Sequence, residues 1–175
     1  MIIFVSSLCF GEGIKKDQEK ESAFMAGFLS AHAFYSIVDG ETLIPIYAFR
    51  GKDEKNNLVR LTQESLEDAV NFGRESLKGN ENEAVVAVLA YDGYIPLDDG
   101  KYDAIFIEFL NYVNQNKYII AIPYRHKYEA KAFTVFKPKL LELPAKSDNS
   151  LEEVMESFWV SLGVKYHIDT FADPL

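Results

Sequence analysis

The stretch from Ala84 to Tyr91 reads A-V-V-A-V-L-A-Y and is apolar on both of its alternating faces. A short, β-branched run of this kind reads as a strand buried on two sides. Such a strand needs packed layers above and below it, and this requirement constrains the fold more than any other feature of the chain.

The residues that follow show how the strand pairs. Asp98-Asp99-Gly100 is a turn, Tyr102 to Phe109 returns, and Asn114-Gln115-Asn116 turns again. Lys117 to Tyr124 runs next, then a charged turn, then Ala132 to Phe136. Turns this short join only antiparallel neighbours, so the C-terminal half predicts a β-meander. Pro123 and Pro138 push the ends of the later strands toward edge positions. An earlier strand is expected from Thr42 to Phe49, with Pro45 marking an edge or bulge. The turn Asp39-Gly40-Glu41 before it suggests a hairpin with Tyr35 to Val38. Ile2, Ile3, Phe4 and Val5 read as a further N-terminal strand, followed by a Gly11-Glu12-Gly13 loop. Gly51 to Asn57, Gly79 to Asn82 and Ala145 to Asn149 read as loops.

Three helices are expected. The first, Asp17 to Tyr35, becomes apolar almost all round after Ser22, as a helix buried on more than one side does. Ala23, Gly27 and Ala31 form a stripe of small residues along it. A glycine inside a helix costs about 1 kcal/mol relative to alanine, and close approach of another backbone is the usual compensation. The partner is either another part of this chain or the same helix of a second copy. The second helix has Thr62 as its N-cap, Leu61 and Leu66 as a hydrophobic staple, and Gly79 as its stop. Its apolar face is Leu66, Ala69, Val70, Gly73 and Leu77. In the third, Ser150 and Glu153 form a capping box, Leu151, Val154, Met155, Phe158 and Leu162 form the apolar face, and Gly163 ends it.

The class is therefore α+β: a mostly antiparallel sheet of about five or six strands packed with three helices. Residues 1–175 read as a single domain, with a strand and loop over 1–13 and a tail over 164–175; no stretch has the composition of a linker. The element order is similar to that of profilin-, roadblock- and PAS-type regulatory folds, an analogy of fold that carries no function.

Composition narrows the function classes. One cysteine, Cys9, excludes an intrachain disulfide and any multi-cysteine zinc site. The three histidines, His32, His126 and His167, lack metal-ligand spacing, and His32 reads as a satisfied core histidine. No metal or other cofactor is expected. The net charge of −9 disfavours nucleic acid and anionic membrane. No apolar run reaches membrane-spanning length, and the N-terminus lacks a basic region and a cleavage site, so a cytoplasmic location is expected. The segment Lys117 to Lys146 runs against the overall charge, with seven basic residues against Glu129 and Glu142. Local pairing is the ordinary reading of such a run.

No nucleophile motif, phosphate loop or dinucleotide fingerprint occurs. Asp92, Asp98, Asp99 and Asp103 crowd one hairpin, which ordinary turn chemistry explains. Asp103 and Glu108 differ in parity, so they point to opposite faces of their strand, each toward solvent. Tyr124 to Tyr128 groups Arg125, His126 and Lys127 between two tyrosines, a combination that can hold an anion or an acidic protein patch. The function expected is a non-catalytic protein-interaction module of accessory, adaptor or toxin-neutralising type, as in bacteria. Its partner would be a protein of basic character, with a homodimer through Ala23, Gly27 and Ala31 or through an edge strand compatible with that role. The alternative is a small-ligand sensor or enzyme whose pocket, between sheet and helix, is lined by Tyr91, Tyr94, Asp103, Arg125 and His126.

Overall fold

The computed structural model describes residues 10–129, 132–147 and 149–166. The strand expected at Ile2 to Val5, together with Cys9 and His167, lies outside these residues. The elements run α1 (Phe10–Ile37), β1 (Ile46–Arg50), β2 (Asn56–Arg60), α2 (Leu66–Gly79), β3 (Val86–Leu97), β4 (Gly100–Asn111), β5 (Asn116–Arg125), β6 (Thr134–Val135), β7 (Lys139–Glu142) and α3 (Leu151–Tyr166). Seven strands form one antiparallel sheet in the order β2-β1-β3-β4-β5-β6, with β7 also beside β5. The α+β class and the β3-β4-β5 meander are as the sequence predicts.

Side-chain alternation divides the core. On β3, Val86, Val88 and Ala90 face α1 and α3, together with Ile105, Ile107 and Phe109 of β4 and Ile120 and Ile122 of β5. Ala87, Leu89 and Tyr91 face the other way and pack with Ala69 and Leu77 of α2. The doubly apolar strand is thus covered on both faces. The α2 layer rests close to the sheet because Gly73 carries no side chain. A Cβ there would stand 2.5 Å from Leu89 Cδ1 and 2.9 Å from Leu61 Cδ1.

The small-residue stripe of α1 is spent inside the chain. Ala23 and Ala31 are fully buried, and a Cβ on Gly27 would meet the Phe158 carbonyl oxygen of α3 at 2.2 Å. Ser161 adds a hydrogen bond from its hydroxyl to the Phe24 carbonyl across the same seam.

Glu19 ties three parts of the chain together. It is fully buried on α1 and accepts from Tyr118 Oη at 2.6 Å, Asn116 Nδ2 at 2.8 Å, and Ser147 Oγ and Asn149 Nδ2 at 2.9 Å each. Burial acts to raise its carboxyl pKa, but the four hydrogen bonds together outweigh burial and hold it below the ordinary range.

Several boundaries differ from the expectation. α1 begins at Phe10, so Gly11 to Gly13 are helical rather than a loop, and it runs through Ile37, so Tyr35 to Val38 form no hairpin strand. α2 starts later than Thr62. Ser65 caps it, accepting from Asp68 N at 3.0 Å, and Asn80 in the left-handed region, not Gly79, ends it. Leu61 is then buried at 6% exposure while Leu66 stands out at 47%, and the staple does not form. The Ser150–Glu153 box does form, with both reciprocal bonds present. α3 continues past Gly163, whose backbone takes no positive φ and so supplies no stop. β2 arises partly from the segment read as the Gly51 to Asn57 loop, and β7 was not anticipated.

Candidate functional site

The last residues of β3 and β5 lie beside the first residues of β4 at one end of the sheet, where Phe34 of α1 packs edge-on against Tyr124. Across this part of the sheet Tyr94 pairs with Asp103, and Asp103 with Tyr124. Asp92 has the same parity as Tyr94, so all four side chains rise from one face. The turn after α1 (Gly40, Glu41, Thr42) walls one side, and the turn after β5 walls the other with His126, Tyr128 and Glu129. Together they enclose an open, mostly polar cleft of about 480 Å³.

The chemistry of the cleft is acidic and aromatic. Tyr124 donates to Asp92 Oδ1 at 3.0 Å. His126 stacks on Tyr128 with ring centroids 4.8 Å apart and meets Tyr124 edge-on at 5.2 Å. Lys101 lays its ammonium over the Tyr94 ring, 3.8 Å from the centroid. Burial, followed by the Tyr124 bond that opposes it and the Asp103 charge that adds to it, leaves the Asp92 carboxyl above its ordinary range. Asp103 is also raised, by burial first and then by the charge of Glu129, against the opposing pull of His126 and Lys101. For both carboxyls, burial and neighbouring negative charge outweigh the hydrogen bonds and positive groups that oppose them.

Of the residues singled out from sequence, Tyr94, Asp103, Arg125 and His126 border this cleft. Arg125 reaches it only at the rim. Its guanidinium crosses to the opposite face and covers the Tyr102 ring at 4.3 Å, and Tyr102 donates to Asp99 Oδ2 at 2.6 Å. Tyr91 stands apart because its odd position on β3 turns it toward α2. There its hydroxyl donates to Glu108 Oε1 at 2.8 Å and accepts from Arg74 Nη2 at 2.6 Å. Glu108, expected toward solvent, is 4% exposed and takes a second hydrogen bond, from Arg74 Nε at 2.8 Å. The correction follows from α2: it lays Arg74 over the end of β4 that the sequence leaves looking open. His32 is half-buried beside Arg60 rather than in the core. Glu41, Asp92, Lys101, Tyr124, Tyr128 and Glu129 complete the cleft. The parity shared by Asp92 and Tyr94 was readable in the sequence; the approach of the Gly40 turn to the β5 turn was not.

A second hollow, of about 520 Å³, lies on the α2 face between Arg74, Lys78, Glu108 and Lys117. Two of its charges are matched within the chain: Arg74 to Glu108, and Lys117 to Glu142 at 3.0 Å. Lys127 of the basic segment likewise lies 3.8 Å from Asp39. Among the described residues no cluster of His, Cys, Asp or Glu is arranged to hold a metal ion, and no helix is long and apolar enough to cross a membrane. No family model, curated protein or solved structure matches this chain.

Proposed function

We propose that this protein is a non-catalytic interaction module that docks a basic segment of a protein partner in the cleft at the end of its sheet. The observation that carries the reading is the pairing of two raised carboxyls, Asp92 and Asp103, with the exposed ring of Tyr94, on which an ammonium already rests. Carboxylates beside an aromatic face are the chemistry that receives a lysine or arginine side chain. The chain's net charge of −9 adds long-range attraction for a basic partner. A small-ligand pocket would enclose its guest among mostly apolar walls. This cleft is open and polar, which favours a docked chain over an enclosed molecule.

The test is titration of the ¹⁵N-labelled protein with an oligolysine peptide, followed by amide NMR. Shifts confined to the ends of β3 and β4 and to the turns at Gly40 and His126 are expected. Asp92→Asn and Asp103→Asn should each weaken binding several-fold, and higher salt should weaken it further. Binding should also fall as pH drops through the two raised carboxyls, because protonation removes the charge that attracts the peptide. Stability should move the other way. The folded state holds these protons more tightly than the unfolded chain, so ionisation as pH rises disfavours folding. The Asn variants should therefore be no less stable than the parent at neutral pH. Shifts scattered over the acidic surface, or affinity unchanged in both variants, would refute the reading.

A further inference from the structure

The two edges of the sheet are unlike each other. The β6/β7 edge is divided between two short strands and flanked by Lys137, Pro138 and Lys139, the usual devices that discourage strand addition. β2 is one unbroken strand without proline, and the lysine before it, Lys55, is paired with Asp53 at 3.0 Å. Its sequence is N-N-L-V-R, with no proline, no lysine and no bulge in its pairing with β1, and all five residues are exposed. Leu58 and Val59 stand out at 45% and 46% exposure, one on each face. The only charge on the strand, Arg60, turns back to α1 and donates to Ser36 Oγ at 3.3 Å.

The hydrogen bonds fix which backbone groups of β2 point outward. Leu61 N donates to the Pro45 carbonyl at 2.8 Å, and the Lys55 carbonyl accepts from Gly51 N at 3.2 Å. Odd-numbered residues therefore face β1, and in the alternation of an antiparallel ladder Asn56, Leu58 and Arg60 direct their N–H and C=O groups away from it.

We propose that β2 pairs antiparallel with β2 of a second copy of this chain, about a two-fold axis through Leu58. In that register Leu58 faces Leu58 of the copy, and Asn56 faces Arg60. Every residue so paired carries outward-pointing backbone groups on both sides, and a shift of one residue would set outward groups against inward ones. The contact is isologous, so one strand supplies both halves. Charge fits it as well. The two Arg60 side chains lie at opposite ends of the pair, each opposite an asparagine. The paired strands are short, so the dimer belongs among small, reversible contacts.

Sedimentation equilibrium up to about 0.5 mM, high enough to populate a sub-millimolar dimer, tests this directly. The parent chain should form dimers. Leu58→Pro should be monomeric yet folded, because the N–H it removes points away from β1. Leu58→Lys is the second variant and should also be monomeric. Hydrogen exchange should slow with concentration at Asn56, Leu58 and Arg60 and not at Asn57 or Val59. A parent chain that stays monomeric over the whole range overturns the proposal. So does a dimer that both Leu58 variants leave intact.

Discussion

Replacing Glu19 tests whether a buried carboxylate held by four neutral hydrogen-bond donors helps to hold this fold. In Glu19→Ala, Tyr118, Asn116, Ser147 and Asn149 lose their common acceptor, three of them from a fully or nearly fully buried setting. A buried donor left unsatisfied costs about 1–3 kcal/mol, and neighbours in one network do not add. Ser147 keeps its bond to the Asn149 carbonyl at 2.7 Å, which softens the loss there. The expected cost is about 3–5 kcal/mol, a large share of a domain's usual stability. For a chain of this size it would lower Tm by roughly 6–20 °C. Glu19→Gln keeps the volume and one acceptor oxygen but turns an NH2 toward one pair of donors. It should cost about 1–2 kcal/mol, because Asn149 can reverse its amide to accept.

The pH dependence separates charge from shape. The folded carboxyl lies below its ordinary value of 4.5, so the stability it adds is present above that value. It is lost as pH falls from there through the lowered folded value. The difference between parent and Glu19→Gln should therefore narrow below about pH 4.5 and stay level above it. Urea unfolding followed by circular dichroism at several pH values measures it. A Glu19→Ala loss below about 1 kcal/mol, or a gap to the Gln variant that ignores pH, would show that the network is not an ionised acceptor site.

Two further perturbations probe the layers. Gly27→Leu drives a side chain into the Phe158 carbonyl, and thermal melting should show a loss of at least about 2 kcal/mol through separation of α1 from α3. On the α2 face, Arg74→Ala should cost more than Glu108→Gln by chemical denaturation. The first leaves a buried carboxylate with only the Tyr91 hydroxyl and the more distant Lys117, at 4.0 Å, whereas the second leaves a half-exposed guanidinium that water can reach. Equal costs would mean that water already reaches Glu108.

Local chemistry was enough for part of this structure. Alternation of apolar residues and Asp-Gly or Asn-rich turns determine β3, β4 and β5, because register and turn type act over a few residues. The Ser150–Glu153 cap is likewise legible, since its partners are three residues apart. α2 shows where local signals compete. Thr62 and Ser65 are both adequate caps, and the burial of Leu61 against Leu89 and Gly73 selects the later start.

The cleft was half legible. Tyr94, Asp103 and His126 belong to neighbouring hairpins, so the meander alone brings them to one end of the sheet. Tyr91 stands one residue before Asp92, and a one-residue step on a strand reverses the face, so it turns toward α2. Sequence determined that Glu19, Glu108 and Asp103 are carboxylates on amphipathic elements. Only the tertiary structure decided that Glu19 would be buried among donors, Glu108 beneath Arg74, and Asp103 beside an open acidic cleft. Those differences arise from residues distant in the chain, and the energy of a charge depends on what surrounds it rather than on where it stands in the sequence.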